Sequence, residues 1–144
     1  MRVVLDTNII VSGLFWRGQP GFVLRAATEQ KFRLLLSETL IAELLDVLSR
    51  EKFKMQRQSL GMSAEQIVAD LRVVAEVVHP ADVPSSAVRD VKDAMVIACA
   101  IGGNAEVIVS GDQDLLSLGT YARITIVDAR GFLAILTGET PSDT

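Results

Sequence analysis

Short runs of mostly apolar residues alternate along this chain with longer stretches in which apolar residues recur every three or four positions. The runs cover residues 3–5, 34–36, 73–78, 107–109 and 124–127. Such runs are typical of strands buried on both faces, as in a parallel sheet. Between them, the periodicity predicts helices over residues 20–29, 38–49, 51–58, 63–72, 91–101 and 129–136. The alternation of strands and helices predicts a three-layer α/β/α sandwich.

The pattern continues through residues 1–136 without a linker or a repeat, so we expect one domain there. The polar segment 137–144 is expected to form a flexible C-terminal tail. No apolar run reaches the roughly 20 residues of a membrane span, and the N-terminus lacks the pattern of a secretory signal. Cys99 is the only cysteine, which excludes an internal disulfide. These features predict a cytoplasmic protein.

Two acidic residues lie at the carboxyl ends of predicted strands. Asp6 comes after the first strand, and Asp112 comes shortly after the fourth. Ligands of open α/β sheets bind beyond the carboxyl ends of the strands, where the strand order reverses. The two carboxylates would therefore meet if their strands are neighbours. Aspartate is also a common helix cap in such turns, and this is the simpler interpretation of either residue alone.

Two further acids lie on predicted helices. Glu43 is at the edge of an apolar stripe, a position that also suits a carboxylate reaching into water. Asp93 precedes eight uncharged residues and shares a helix face with Val96, Ile97 and Ala100. It could favour the helix dipole there, but a buried carboxylate without a nearby cation is costly. Several acids without a histidine suit Mg²⁺ or Mn²⁺ better than zinc.

Four short motifs around these acids follow one another in a fixed order. They are Asp6-Thr7-Asn8 after the first strand, Glu43 within a helix, Asp90-Val91-Lys92-Asp93 at a helix start, and Ser110-Gly111-Asp112-Gln113-Asp114 after the fourth strand. In order and spacing they resemble PIN-domain proteins, from Met1 to about Leu136. The similarity is greatest to the bacterial toxins of toxin–antitoxin pairs, the VapC type.

The resemblance implies a central parallel five-stranded sheet in the order 3-2-1-4-5, with strands one and four as neighbours. It also implies a ribonuclease that depends on Mg²⁺ or Mn²⁺, with RNA as substrate, an antitoxin protein as partner and a homodimer as the assembly. The implied catalytic and metal-binding residues are Asp6, Glu43, Asp93 and Asp112. The implied supporting residues are Thr7, Asn8, Ser110, Asp90 and Asp114.

Some positions depart from the pattern of these relatives. Ala94 and Ala98 stand where they often carry a polar residue and a glutamate, which leaves Asp90 as an alternative to Asp93 as the third ligand. The spacing of Asp93 before Asp112 favours Asp93, while Asp90 has the chemistry of a helix N-cap. The net charge of −4 also counts modestly against nucleic-acid binding through overall charge.

Two other interpretations remain open at this point. One is a catalytically inactive PIN-like binding module that assembles with a partner but cleaves nothing. The other is a Mg²⁺-binding phosphotransfer protein of the receiver type. Such proteins need a phosphate-accepting aspartate after the third strand, where this chain has Val78-His79-Pro80. The sequence therefore favours the nuclease over the receiver.

Overall fold

The structure is a computed structural model that describes residues 1–84 and 88–138. Its strands are β1 (Arg2–Leu5), β2 (Arg33–Leu36), β3 (Ala75–Val77), β4 (Val107–Val109), β5 (Thr120–Tyr121) and β6 (Ile124–Val127). Its helices are α1 (Thr7–Phe15), α2 (Gln19–Thr28), α3 (Glu38–Leu48), α4 (Lys54–Leu60), α5 (Ala64–Val74), α6 (Val91–Gly102), α7 (Gln113–Leu116) and α8 (Ala129–Leu136), with a 3-10 turn at Glu51–Phe53. None of the described helices is long and apolar enough to cross a membrane.

The strands form one sheet in the order β3-β2-β1-β4-β6-β5. The first five strands in this order pair in parallel, namely β3, β2, β1, β4 and β6. Strand β1 therefore lies between β2 and β4. This confirms the predicted order of five strands, since β6 is the fifth predicted strand. It also places the reversal of strand order between β1 and β4, where ligands bind in open α/β sheets.

The expectation of a purely parallel five-stranded sheet was incomplete, because β5 adds a short antiparallel edge. The hairpin between β5 and β6 turns at Ala122 and Arg123, whose φ angles are 48° and 69°. Two-residue hairpin turns with positive φ usually carry asparagine or glycine. Because this turn carries neither, the sequence contained no recognisable hairpin signal.

Helices cover both faces of the sheet. Consecutive residues of a strand point to opposite faces, and Val3 and Val4 of β1 are both 0% exposed. On α6, Val96, Ile97 and Ala100 are buried and form one face of the helix, as predicted. The three-layer α/β/α arrangement that the apolar runs predicted is therefore present in the structure.

Other helix predictions were only partly correct. Helix α1 was not predicted, and α5 extends to Val74, so β3 is shorter than the predicted strand 73–78. The predicted helix 51–58 is divided in the structure into the 3-10 turn and α4, which continues to Leu60. Helix α8 ends at Leu136, and residues 139–144 of the predicted tail lie outside the described residues.

Candidate metal centre

Asp6 and Asp112 meet at the carboxyl edge of the sheet, where β1 and β4 end side by side. The backbone N–H of Asp6 donates to the carbonyl oxygen of Val109, at 2.9 Å. The fully buried Ser110 donates its hydroxyl to Asp6 Oδ2 at 2.8 Å and accepts the backbone N–H of Asp112 at 3.0 Å. Ser110 therefore fixes the relative positions of the two acids.

Asp93 is the most deeply buried acid of the site, with an exposed fraction of 3%. Its Oδ2 atom makes no hydrogen bond to any residue that the structure describes. The pKa of Asp93 is raised to about 7, chiefly by burial and in addition by the negative charges of Asp112, Asp90, Asp6 and Asp114. A cation beside this carboxylate would offset both effects.

Asp93, Asp112 and Asp114 form a group that fits a divalent cation. Each offers a carboxylate oxygen, and these oxygens lie within 4.8 Å of one another. Hard divalent cations prefer oxygen ligands, and Mg²⁺ typically takes a few carboxylates while it keeps several waters. The unpartnered buried oxygen of Asp93 is the feature that separates this group from an ordinary cluster of surface acids. The donor set therefore suits Mg²⁺ or Mn²⁺.

Asp114 has a larger place here than the sequence assigned to it. It was expected to be a supporting residue, yet its carboxylate belongs to the mutually close group, while those of Asp6 and Glu43 do not. The position of Asp114 follows from α7, which begins directly after Asp112. The Oδ1 atom of Asp112 accepts the backbone N–H of Asp114 at 2.7 Å and so caps that helix. The sequence did carry one signal for this role of Asp114, namely that it follows the strand-end Asp112 by two residues.

Asp6 lies beside the group and is joined to it through Ser110. Burial raises the pKa of Asp6, while the hydroxyl of Ser110 and the backbone N–H groups of Thr7 and Asn8 oppose this shift by stabilising the carboxylate. The negative charge of Asp112 raises the pKa further. Asn8 is exposed in the first turn of α1, and its backbone N–H interacts with the carboxylate of Asp6.

Glu43 reaches the site from the middle of α3. Its Oε2 atom accepts a hydrogen bond from the hydroxyl of Thr7 at 3.3 Å, and its Oε1 atom lies 3.7 Å from Nζ of Lys92. The side chain of Glu43 is 14% exposed, and that of Lys92 is 61% exposed. Exposed ion pairs typically contribute only about 0–1 kcal/mol, so Thr7 is the firmer partner of Glu43.

Asp90 occupies the N-cap of α6. Its Oδ1 atom accepts the backbone N–H of Lys92 at 2.8 Å, and the residue is exposed. Asp93 lies one turn further along α6 and is buried. The two aspartates therefore have different environments, and Asp93 is the one that belongs to the acidic group.

Three helices begin at acids of this edge: α1 after Asp6, α6 after Asp90 and the short α7 after Asp112. The N-terminus of a helix carries a partial positive charge, which favours nearby anions. This charge reduces the mutual repulsion of the carboxylates in the metal-free protein. It also favours a phosphate that approaches the same edge of the sheet.

The sequence matches a family model for the PIN domain over residues 2–114, which include all five acids of the site. The chain belongs to the PIN-domain family. Its fold is similar to a chain in the crystal structure of VapBC2 from Rickettsia felis bound to a DNA fragment from their promoter, with a TM-score of 0.56. The two chains are 18% identical, and the match covers 88% of this chain and 97% of the other. No curated protein matches this chain significantly.

Proposed function

We propose that the protein is a ribonuclease that hydrolyses RNA phosphodiester bonds with Mg²⁺ or Mn²⁺. The observation that carries the proposal is the buried, unpartnered Oδ2 atom of Asp93 beside the carboxylates of Asp112 and Asp114. This arrangement is costly in a metal-free protein and becomes favourable when a divalent cation is bound. Membership of the PIN-domain family supports nuclease chemistry at this site.

The residues of this site would have different roles in such a reaction. Asp93, Asp112 and Asp114 would hold the ion, and Asp6 would complete the site from β1. When bound, the ion supplies an activated water and offsets the charge on the phosphoryl oxygens. Ser110 orients Asp6 and Asp112, as outer hydrogen bonds do at metal sites. Glu43, held by Thr7, would position the attacking water at the rim.

We predict that the purified protein cleaves single-stranded or structured RNA in Mg²⁺ or Mn²⁺, and that EDTA abolishes cleavage. Asp6→Asn is expected to lower kcat/KM by roughly a hundredfold or more, because it removes a charge that compensates the ion. The measurement is cleavage of labelled RNA and of DNA of the same sequence.

Asp46→Asn is the matched control, because Asp46 is exposed on α3 and pairs only with Arg50 among the described residues. It should cleave like the unaltered protein. Cleavage that survives both chelation and Asp6→Asn would show that the metal mechanism is wrong. Mn²⁺ binding without cleavage of any RNA would favour a PIN-like binding module instead.

We further propose that the protein is the toxin of a toxin–antitoxin pair and forms a homodimer. The motif resemblance to VapC-type toxins and the fold shared with a chain of the Rickettsia felis complex support this assignment. Exposed apolar side chains also offer surface for association, among them Trp16, Phe22 and Met55, which are 51%, 59% and 77% exposed.

We expect light scattering to give the mass of a dimer for the purified protein. Addition of the small protein encoded by the neighbouring gene should give a larger complex and suppress RNA cleavage. A monomer at high protein concentration would contradict the homodimer. Unchanged mass and cleavage after addition of the neighbouring gene product would contradict the proposed pairing.

A further inference from the structure

The acidic site needs a charged partner for the phosphate of its proposed substrate, in addition to the partial charges of the helix N-termini. Asp6, Glu43, Asp93, Asp112 and Asp114 bring five carboxylates to one edge of the sheet. One divalent ion offsets only two negative charges, so an approaching RNA phosphate still meets a negative site. Near contact, like charges repel each other strongly where water is partly excluded. A cation of the protein is therefore needed at this edge.

Lys92 is the cation that the structure places there. Among the ion pairs in the described part of the chain, only that of Lys92 with Glu43 involves an acid of this site. The backbone of Lys92 is fixed in the first turn of α6, because its N–H donates to Asp90. The ion pair with Glu43 places the ammonium group at the edge of the acidic site, beside Glu43.

The contact between Lys92 and Glu43 is loose. Their closest atoms, Nζ and Oε1, are 3.7 Å apart, longer than the roughly 2.7–2.9 Å of a charge-assisted hydrogen bond. The lysine side chain is 61% exposed, so it keeps freedom to turn. Glu43 does not depend on Lys92 for its position, because Thr7 donates to its other oxygen. Lys92 can therefore leave Glu43 without disturbing the carboxylate.

We propose that Lys92 binds the RNA phosphate beside the acidic group, leaving Glu43 when the substrate enters. The inference rests on the proposed ribonuclease function and names a further substrate-binding residue for it. A lysine ammonium is a compact charge that suits a phosphate oxygen. Lys92 would thus hold the phosphate, while the carboxylates hold the ion.

The test compares Lys92→Met with Lys92→Arg and with Lys31→Met. Lys31 is a matched control, because it is 65% exposed and pairs with Glu29 at 3.4 Å. It precedes β2 and therefore lies at the opposite, amino edge of the sheet. Both methionine variants change the net charge by the same amount, so a difference in RNA binding between them reflects the position of the lysine that was removed.

Binding of a short single-stranded RNA is measured by fluorescence anisotropy over a series of KCl concentrations. All variants carry Asp112→Asn, which is expected to prevent cleavage while asparagine still caps α7. Loss of one phosphate contact should reduce the slope of log K against log salt by about 0.7. At about 0.1 M salt this change in slope corresponds to roughly fivefold weaker RNA binding by Lys92→Met. Lys92→Arg should restore the slope, and Lys31→Met should leave it unchanged.

A second readout separates phosphate binding from a structural role. Mn²⁺ affinity is measured on Lys92→Met with the acids intact, and we expect it to be unchanged or tighter. If Lys92 only supported the carboxylates of the site, Mn²⁺ binding would weaken, or cleavage by Lys92→Met with the acids intact would slow through Glu43, and the salt slope would stay the same. That result, or equal slopes for Lys92→Met and Lys31→Met, would overturn the proposal.

The two proposals can fail separately. RNA cleavage by the unaltered protein together with an unchanged salt slope in Lys92→Met overturns only the role of Lys92. If the salt slope of RNA binding depends on Lys92 but the protein cleaves no RNA, the phosphate contact is supported and the ribonuclease is contradicted. Absence of RNA binding by the parent protein overturns the role of Lys92.

Discussion

Asp93→Asn is expected to abolish RNA cleavage and to weaken Mn²⁺ binding by more than about a hundredfold. Loss of an outer partner of a metal ligand commonly costs 10–100-fold in affinity, so loss of a buried ligand should cost more. The metal-free variant should nevertheless remain folded. Asp93 is 3% exposed and has an unpartnered oxygen. Removal of its charge therefore removes the cost of a buried carboxylate, which a bound cation would otherwise offset. Calorimetric Mn²⁺ titration and RNA cleavage check the prediction.

Asp90→Asn is the matched control, since it makes the same chemical change three residues earlier. Asp90 caps α6 through the N–H of Lys92, and asparagine is an equally good N-cap. We expect Mn²⁺ affinity and cleavage close to those of the unaltered protein. Normal Mn²⁺ binding in Asp93→Asn, with loss in Asp90→Asn, would reverse the assignment of the third ligand.

The stability of the metal-free protein should also depend on pH through Asp93. The pKa of Asp93 is about 7 in the folded protein and near 3.8 for the exposed group. Below about pH 4 the carboxyl is protonated in both states and costs nothing. Between about pH 4 and 7 the unfolded state releases the proton first, so the free energy of unfolding falls as the pH rises. Above about pH 7 this loss is complete.

Urea unfolding of the unaltered protein and of Asp93→Asn, both in EDTA, isolates this effect. The comparison largely cancels acids whose pKa is lowered, such as Glu38 beside Arg72, which act in the opposite direction. Asp93→Asn should have little advantage near pH 4 and become about 1–3 kcal/mol more stable by pH 8.

Saturating Mn²⁺ at pH 8 should reverse the order, because binding stabilises only the protein that retains the ligand. An advantage of Asp93→Asn that is the same at all pH values would contradict the buried, titrating carboxylate. So would equal stabilisation of both proteins by Mn²⁺.

The sequence predicted the centre of the fold well because burial leaves a direct pattern there. Strands β1, β2 and β4 are covered on both faces, so nearly all of their residues are apolar. Helix α1 was missed because it follows β1 after a single residue and is itself largely apolar, so strand and helix merge into one apolar stretch. Strand β5 has two residues and depends on its pairing with β6.

The candidate site was predictable to the extent that it depends on strand ends. Asp6 and Asp112 were expected to meet if β1 and β4 are neighbours, and the strand order satisfies that condition. The burial of Asp93 was predicted from the eight uncharged residues that follow it on α6. The closeness of Asp114 to Asp93 depends on the short helix α7, which has no periodic pattern that a sequence can reveal.

The contact of Lys92 with Glu43 was also beyond the sequence. It joins α6 to the middle of α3, and the two residues are far apart along the chain. No local pattern reports such a pairing, since both residues would also suit an exposed helix surface. The hydrogen bonds of Ser110 to both strand-end acids are likewise a product of the β1–β4 pairing.

Anomalous diffraction from crystals of the unaltered protein soaked in Mn²⁺ tests the metal centre most directly. We predict a peak at roughly 2.1 Å from carboxylate oxygens of both Asp93 and Asp112. The same peak should be absent from crystals of Asp93→Asn and present in those of Asp90→Asn. Mn²⁺ peaks only at other surface acids, or no peak at all, would contradict a divalent-metal centre at this edge of the sheet.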